Sequence, residues 1–145
     1  MKNKILFTFI LFTYALGYSQ RETSWADLAK VTYTDKFFPA YDDYFLYPEF
    51  SGSVKDLEGK QITVTGYFLN IDPNGKLFIL SKGPMSACFF CGQGGPETAI
   101  ELQFVVPPKF KTDQVVSITG ILKLNKDDVE HFNYILTDCY GLLLK

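Results

Sequence analysis

The sequence predicts a mainly β domain, a small five-stranded OB-like barrel with a short N-terminal helix. Aromatic residues, which favour strands, are abundant: 14 Phe and 9 Tyr in 145 residues. Five strand-like apolar runs are separated by turns rich in Gly, Pro and Asn. The first and fourth runs each contain a glycine, Gly66 and Gly120, where a barrel strand would bend. Five strands with such bends are typical of the OB fold.

Residues 1–19 predict a secretory signal peptide. Two lysines precede an apolar run over residues 5–17, and small residues stand before an expected cleavage point at Gln20. The run is shorter than the roughly 20 residues that a membrane-spanning helix needs. We therefore expect a single OB-like β-barrel domain over residues 20–145, a periplasmic or secreted location, and no membrane span after cleavage.

The start of the domain predicts a short helix followed by an aromatic segment. Ser24 is a helix-capping residue, and Trp25 and Leu28 would share one helix face. A strand-like run at residues 31–35 leads into the aromatic segment at 37–50. We interpret this segment as extended chain that packs against the barrel, with an aromatic ligand surface as the alternative.

The barrel strands are predicted at residues 61–71, 76–81, 99–106, 115–124 and 132–139. The Asp-Pro-Asn-Gly sequence after the first of them is a strong turn signal. The segment between the third and fourth strands is too short for the helix that OB folds usually carry there. We therefore expect the N-terminal helix to plug the barrel instead.

Charge and motifs exclude several classes of function. The net charge is −2, and loss of Lys2 and Lys4 with the leader makes the domain more acidic. Nucleic acid is not an expected partner, because phosphate binding depends largely on Lys and Arg. The chain has one histidine, His131, and no nucleophile-elbow, P-loop or dinucleotide motif. We therefore expect a non-enzymatic binding protein.

The cysteines suggest a metal site. Three cysteines cannot all pair within one chain. Cys88-Phe-Phe-Cys91 lies in a glycine-rich stretch, and two such thiolates supply two of the four ligands of a zinc ion. If the loops after the second and fourth strands lie at the same end of the barrel, a histidine in the loop after the fourth strand would approach the two cysteines. The predicted ligands of zinc, or of a similar metal, are Cys88, Cys91, His131 and Cys139, with Glu97 and Asp138 as further candidates.

Three alternatives to a metal site remain open. Cys88 and Cys91 could form a disulfide, or act in a periplasmic thiol–disulfide protein. A catalytic C-x-x-C normally opens a helix that lowers the thiol pKa, whereas the Gly-Gln-Gly-Gly-Pro that follows Cys91 breaks helices. The third alternative is an OB-type polymer- or protein-binding module with an exposed aromatic surface formed by Tyr41, Tyr44 and Tyr47.

The sequence resembles a family of exported bacterial proteins known only as a domain of unknown function. The resemblance covers roughly residues 54–106. It rests on the run Leu57-Glu-Gly-Lys-Gln-Ile-Thr-Val-Thr-Gly-Tyr-Phe-Leu, on Phe78-Ile-Leu, and on the loop Ser86-Ala-Cys-Phe-Phe-Cys-Gly. Phe90 stands where that family has a histidine, and Cys91 is an additional cysteine. Because some members occur beside transporters linked to metal supply, the resemblance implies a metal role and a transport or envelope protein as partner.

The leader makes the first testable prediction. Because signal peptidase cleaves after small residues, the exported protein should begin at or near Gln20. Mass spectrometry of the secreted or periplasmic fraction measures this directly. Recovery of the protein only in membranes, with Met1 intact, would contradict the expected location.

Overall fold

The structure, a computed structural model, describes residues 21–72, 74 and 77–145. The predicted leader lies outside the described residues, as does part of the predicted turn after Asp72. The strands are β1 (Arg21–Glu22), β2 (Val31–Phe38), β3 (Asp43–Phe50), β4 (Gln61–Asn70), β5 (Phe78–Ser81), β6 (Ala99–Phe104), β7 (Val115–Leu124) and β8 (Tyr134–Leu143). The helices are α1 (Trp25–Leu28) and α2 (Gly52–Lys55), and 3₁₀ turns occur at Met85–Ala87, Phe89–Cys91 and Pro96–Thr98. None of the described helices has the length and apolarity needed to cross a membrane.

Five strands close into a barrel, which confirms the predicted fold class. The strands run in the order β4-β5-β6-β8-β7, and β7 pairs again with β4 to close the sheet. β6 and β8 are parallel, whereas the other barrel pairs are antiparallel. Numbered along the barrel, this is a 1-2-3-5-4-1 order, the Greek-key arrangement of an OB-like barrel. The additional strand β1 lies parallel to β4.

The two barrel glycines allow close backbone approach. A Cβ on Gly66 would lie 2.6 Å from the Ser81 carbonyl oxygen and 3.1 Å from the Trp25 ring. A Cβ on Gly120 would lie 2.8 Å from the Thr137 carbonyl oxygen. Gly120 lies opposite a bulge in β8, where the register shifts against β7. The bulged residue Asp138 has φ 52°.

Strand β8 is longer than predicted. The sequence pattern predicted an end at residue 139, but β8 continues to Leu143. Asp138 and Gly141 break the apolar alternation there, since one occupies the bulge and the other lacks a side chain. A Cβ on Gly141 would lie 2.5 Å from the Ile118 side chain, so the glycine permits the strand to remain paired with β7.

The N-terminal helix packs on the barrel core, as predicted. Ser24 and Asp27 form a capping box at its start. Leu28 is fully buried in the same apolar cluster as the inward-facing barrel residues. The Tyr134 hydroxyl donates a 2.6 Å hydrogen bond to the Leu28 carbonyl, and the Trp25 indole donates to Thr65 at 2.8 Å. These bonds fix the helix over one end of the barrel.

The aromatic segment forms a hairpin of its own. β2 and β3 pair as a separate two-stranded antiparallel sheet from Val31↔Phe50 to Phe38↔Asp43. Its base is anchored by Phe50, which is buried and lies 5.4 Å from the Tyr134 ring, centroid to centroid. Its tip is exposed, and Tyr44 is 65% accessible. The segment therefore packs on the barrel at one end and presents aromatic side chains to solvent at the other.

Candidate functional site

The cysteine loop lies on the outer face of the barrel. Along β5 and β6, Leu80 and Ile100 point into the main core, whereas Ile79 and Ala99 belong to a second apolar cluster together with Leu69 and Cys88. Alternate residues of a strand face opposite sides of a sheet, so the second cluster lies outside the barrel. The partly buried residues that pack against this outer cluster are Tyr67, Ile71, Leu77, Met85, Phe89 and Phe132.

A tight turn brings the two thiols of this loop together. The Cys88 carbonyl accepts hydrogen bonds from the backbone N–H of Cys91 at 3.0 Å and of Gln93 at 3.3 Å. Gly92 closes the turn with φ 75°, a left-handed conformation that glycine adopts readily. The Cys88 and Cys91 sulfur atoms lie 3.9 Å apart. The turn therefore brings two sulfur atoms together, joined by a long hydrogen bond from the Cys88 thiol to the Cys91 sulfur and not by a disulfide.

The two thiols have different surroundings. Cys88 is 2% exposed within the outer cluster, whereas Cys91 is exposed and donates a hydrogen bond to the Met85 carbonyl at 3.0 Å. The adjacent Cys88 thiol, and to a smaller extent burial, raise the pKa of Cys91 above its ordinary value. The neutral thiol is therefore the favoured form of Cys91 in this turn.

His131 binds a buried carboxylate. Its Nδ1 lies 2.9 Å from both carboxylate oxygens of Glu101, a β6 residue that is 5% exposed. Glu101 also accepts hydrogen bonds from the Gln103 amide at 3.0 Å and from the Phe132 backbone N–H at 3.3 Å. The carboxylate thus anchors the loop between β7 and β8, residues 125–133, to the outer face of β6.

Further hydrogen bonds within this loop hold its shape. The Asn125 side-chain amide donates to the carbonyls of Asp128, His131 and Phe132 at 2.7–3.2 Å. The Asn125 side-chain oxygen accepts from the Asp128 backbone N–H at 3.1 Å. Because so many backbone groups of the loop are satisfied internally, it forms a fixed wall beside the cysteine loop.

The two loops meet, but they do not unite the four predicted ligands. The rings of Phe90 and Phe132 lie 5.7 Å apart, so the loops share one end of the barrel as expected. His131, however, uses Nδ1 to bind Glu101. Across the described part of the chain, no group of three or more His, Cys, Asp and Glu residues is placed to hold a metal ion.

Cys139 lies in the main core, apart from the other two cysteines. It is 6% exposed, and its thiol donates to the Leu136 carbonyl at 3.0 Å. Burial raises its pKa to about 12. Glu97 and Asp138 are also separate from the thiol pair. The Glu97 carboxylate packs over Gly95, and Asp138 occupies the bulge of β8.

Two residues of the site were not predicted. Glu101 stands in the apolar run Ala99–Phe104, and a carboxylate in a strand buried on both faces signals a specific partner. Met85 packs against the outer cluster with Cys88, and its carbonyl accepts from Cys91. Met85 thus adds a third sulfur-bearing side chain to the surroundings of Cys88.

A cleft of about 450 Å³ opens between the hairpin and these two loops. One wall is the β3 segment Tyr44–Leu46, and the other includes Phe89 and the loop at 126–133. Among the described residues the hairpin sheet contains two strands, so no described strand pairs with the outer edge of β3. Lys36 ties the hairpin to the loop through a 3.0 Å ion pair with Asp127.

No family model, curated protein or solved structure matches this chain.

The His131–Glu101 pair should make stability depend on pH. The hydrogen bond that His131 donates to Glu101, together with the negative charge of Glu101, raises the pKa of His131 above its ordinary value of about 6.5. Asp128 adds to this rise, whereas burial and Lys123 oppose it. The pair's contribution is therefore complete below pH ~6.5 and is lost as the pH rises through the raised pKa. Since the His131 side chain is 46% exposed, we expect a loss of no more than about 1 kcal/mol.

Urea unfolding between pH 5.5 and 8.5 measures this effect. His131→Gln keeps a polar side chain but does not titrate, so it should flatten the dependence over this range. The same slope in wild type and in His131→Gln would show that His131 is not its source.

Proposed function

We propose that this protein is an exported, non-enzymatic binding protein that holds a thiophilic metal ion, zinc or a similar ion, between Cys88 and Cys91. The observation that carries the proposal is the 3.9 Å separation of the two sulfur atoms. Two thiolates bound to one tetrahedral zinc ion at about 2.3 Å lie about 3.8 Å apart. The turn therefore holds both ligands near the separation that a shared ion requires.

The surroundings of the pair favour binding over catalysis. Cys88 is fixed in the outer cluster, while the exposed Cys91 gives an ion access from solvent. In a thiol–disulfide catalyst the first cysteine of the motif is normally accessible and a helix N-terminus lowers its pKa. Here the first cysteine is the buried one, and the turn that follows is a single 3₁₀ turn.

Export and the transport partner belong to the same proposal. The signal-peptide pattern of residues 1–19 and the resemblance over residues 54–106 support them. An extracytoplasmic metal-binding protein would deliver its ion to, or receive it from, an envelope or transport protein. The exposed side of the pair, at Cys91, is where such a transfer could take place.

Metal content and thiol count on one non-reduced sample test the proposal. We expect one metal ion per chain and a rise in Tm when metal is added, because the ion binds the folded turn better than the open chain. Cys88→Ser and Cys91→Ser should each lower metal affinity by at least about tenfold and remove most of the rise in Tm.

The third cysteine provides a matched control. Cys139→Ser removes one thiol from the same protein but lies in the main core, so it should retain the metal even if its own Tm falls. A Cys88–Cys91 disulfide without metal in the native sample would refute the proposal and support the disulfide alternative. Equal loss of metal in all three variants would refute the assignment of the site.

The cleft supports a second candidate function, the binding of an extended polypeptide. An added strand can pair with the free edge of β3 while its alternate side chains contact Tyr44 and Leu46. The opposite wall carries the two carboxylates of Asp128 and Glu130 against one lysine, Lys126, and its His131 is already paired with Glu101. This excess of negative charge favours a basic segment.

An eight-residue peptide of alternating valine and lysine tests this candidate. The matched control is a peptide of the same length with alternating valine and glutamate. We expect the lysine peptide to bind more tightly in fluorescence anisotropy, and Leu46→Ser to weaken it about fivefold or more through loss of apolar contact. Leu143→Ser removes a leucine of similar exposure, 53% against 50% for Leu46, from outside the cleft and should have no effect. Equal binding of both peptides, or equal effects of both variants, would exclude the cleft as the site.

A further inference from the structure

We propose that Met85 supplies a third sulfur ligand, and that the ion held at this site is the soft monovalent cation Cu⁺. This inference rests on the proposed function of the Cys88–Cys91 pair and names the ion that the site selects. Met85, Cys88 and Cys91 follow one another at intervals of three residues.

The local backbone folds these three residues into one compact loop. Met85 begins one 3₁₀ turn, Cys91 ends the next, and Cys88 joins the two in an extended conformation. Two observed contacts bring Met85 next to the thiol pair. The Met85 side chain packs against the cluster that contains Cys88, and the Met85 carbonyl accepts from the Cys91 thiol at 3.0 Å.

The donor set fits Cu⁺ better than Zn²⁺. Structural zinc sites are almost always four-coordinate, with thiolate, imidazole or carboxylate ligands. Beyond the two thiols, no His, Asp or Glu among the described residues is placed to complete such a set. Thioether and thiolate sulfur are soft donors, which favour Cu⁺.

The environment also suits a soft ion of low charge. Phe89 and the outer cluster place apolar groups around Cys88, and this disfavours a strongly hydrated cation. Binding of Cu⁺ to two thiolates releases both thiol protons and leaves one net negative charge on the site. The exposed side of Cys91 places that charge next to water rather than in the core.

The experiment is a Cu⁺ competition against a colorimetric copper(I) chelator, under anaerobic conditions with the reduced full-length mature chain. The same chain is titrated with Zn²⁺. We expect one Cu⁺ per chain, held more tightly than Zn²⁺. Met85→Leu, which preserves apolar volume, should weaken Cu⁺ binding about tenfold and leave Zn²⁺ binding unchanged. X-ray absorption should show three sulfur neighbours for copper in the wild type and two in Met85→Leu.

Thermal unfolding of the metal-free proteins shows whether Met85→Leu is folded, so a binding loss cannot be mistaken for unfolding. If copper shows only two sulfur neighbours in the wild type, or if Zn²⁺ binds more tightly than Cu⁺, this inference is wrong while the proposed metal-binding function stands. If the reduced chain binds neither ion, the proposed function fails as well.

Discussion

Closure of the barrel depends on one strand that pairs with two others along its length. β4 binds β7 through residues 61–67 and β5 through residues 67–70. Gly66 stands next to the change of partner, with the Ser81 carbonyl and the Trp25 ring against its backbone. A side chain there would push β5 and helix α1 away from β4. The barrel and the seat of helix α1 therefore depend on a position without a Cβ.

The closed barrel in turn creates the outer surface on which the site is built. Short strand β5 lies between β4 and β6, and the outward residues of all three form a narrow apolar strip, represented by Leu69, Ile79 and Ala99. This strip would be an exposed apolar patch if nothing covered it. The cysteine loop covers it, and burial of Cys88 fixes the turn that orients Cys91. Glu101 follows Ala99 on the same face of β6 and anchors the loop at residues 125–133. Strand β6 therefore positions both walls of the site.

The sequence predicted the features that are set by neighbouring residues. β7 was predicted at its observed bounds, because every second residue from Val116 to Leu124 is apolar or, at Gly120, glycine. The thiol pair was also predictable, since a C-x-x-C turn is a local structure. The continuation of β8 beyond Cys139 was not, because the bulge at Asp138 breaks the alternation. The Glu101–His131 contact joins residues 30 positions apart, and a single sequence carries no signal for that pairing.

Burial of Cys139 in the barrel limits the reactivity of this third cysteine. Its thiol is enclosed by the barrel and its pKa is about 12, so almost no reactive thiolate reaches solvent while the barrel is closed. Two chains cannot be cross-linked through it without opening the strands around it. Alkylation of this sulfur requires such an opening, so its rate would report the free energy of that event much as amide exchange does. The reactivity of the third cysteine thus reports transient opening of the barrel, and no probe has to be introduced to measure it.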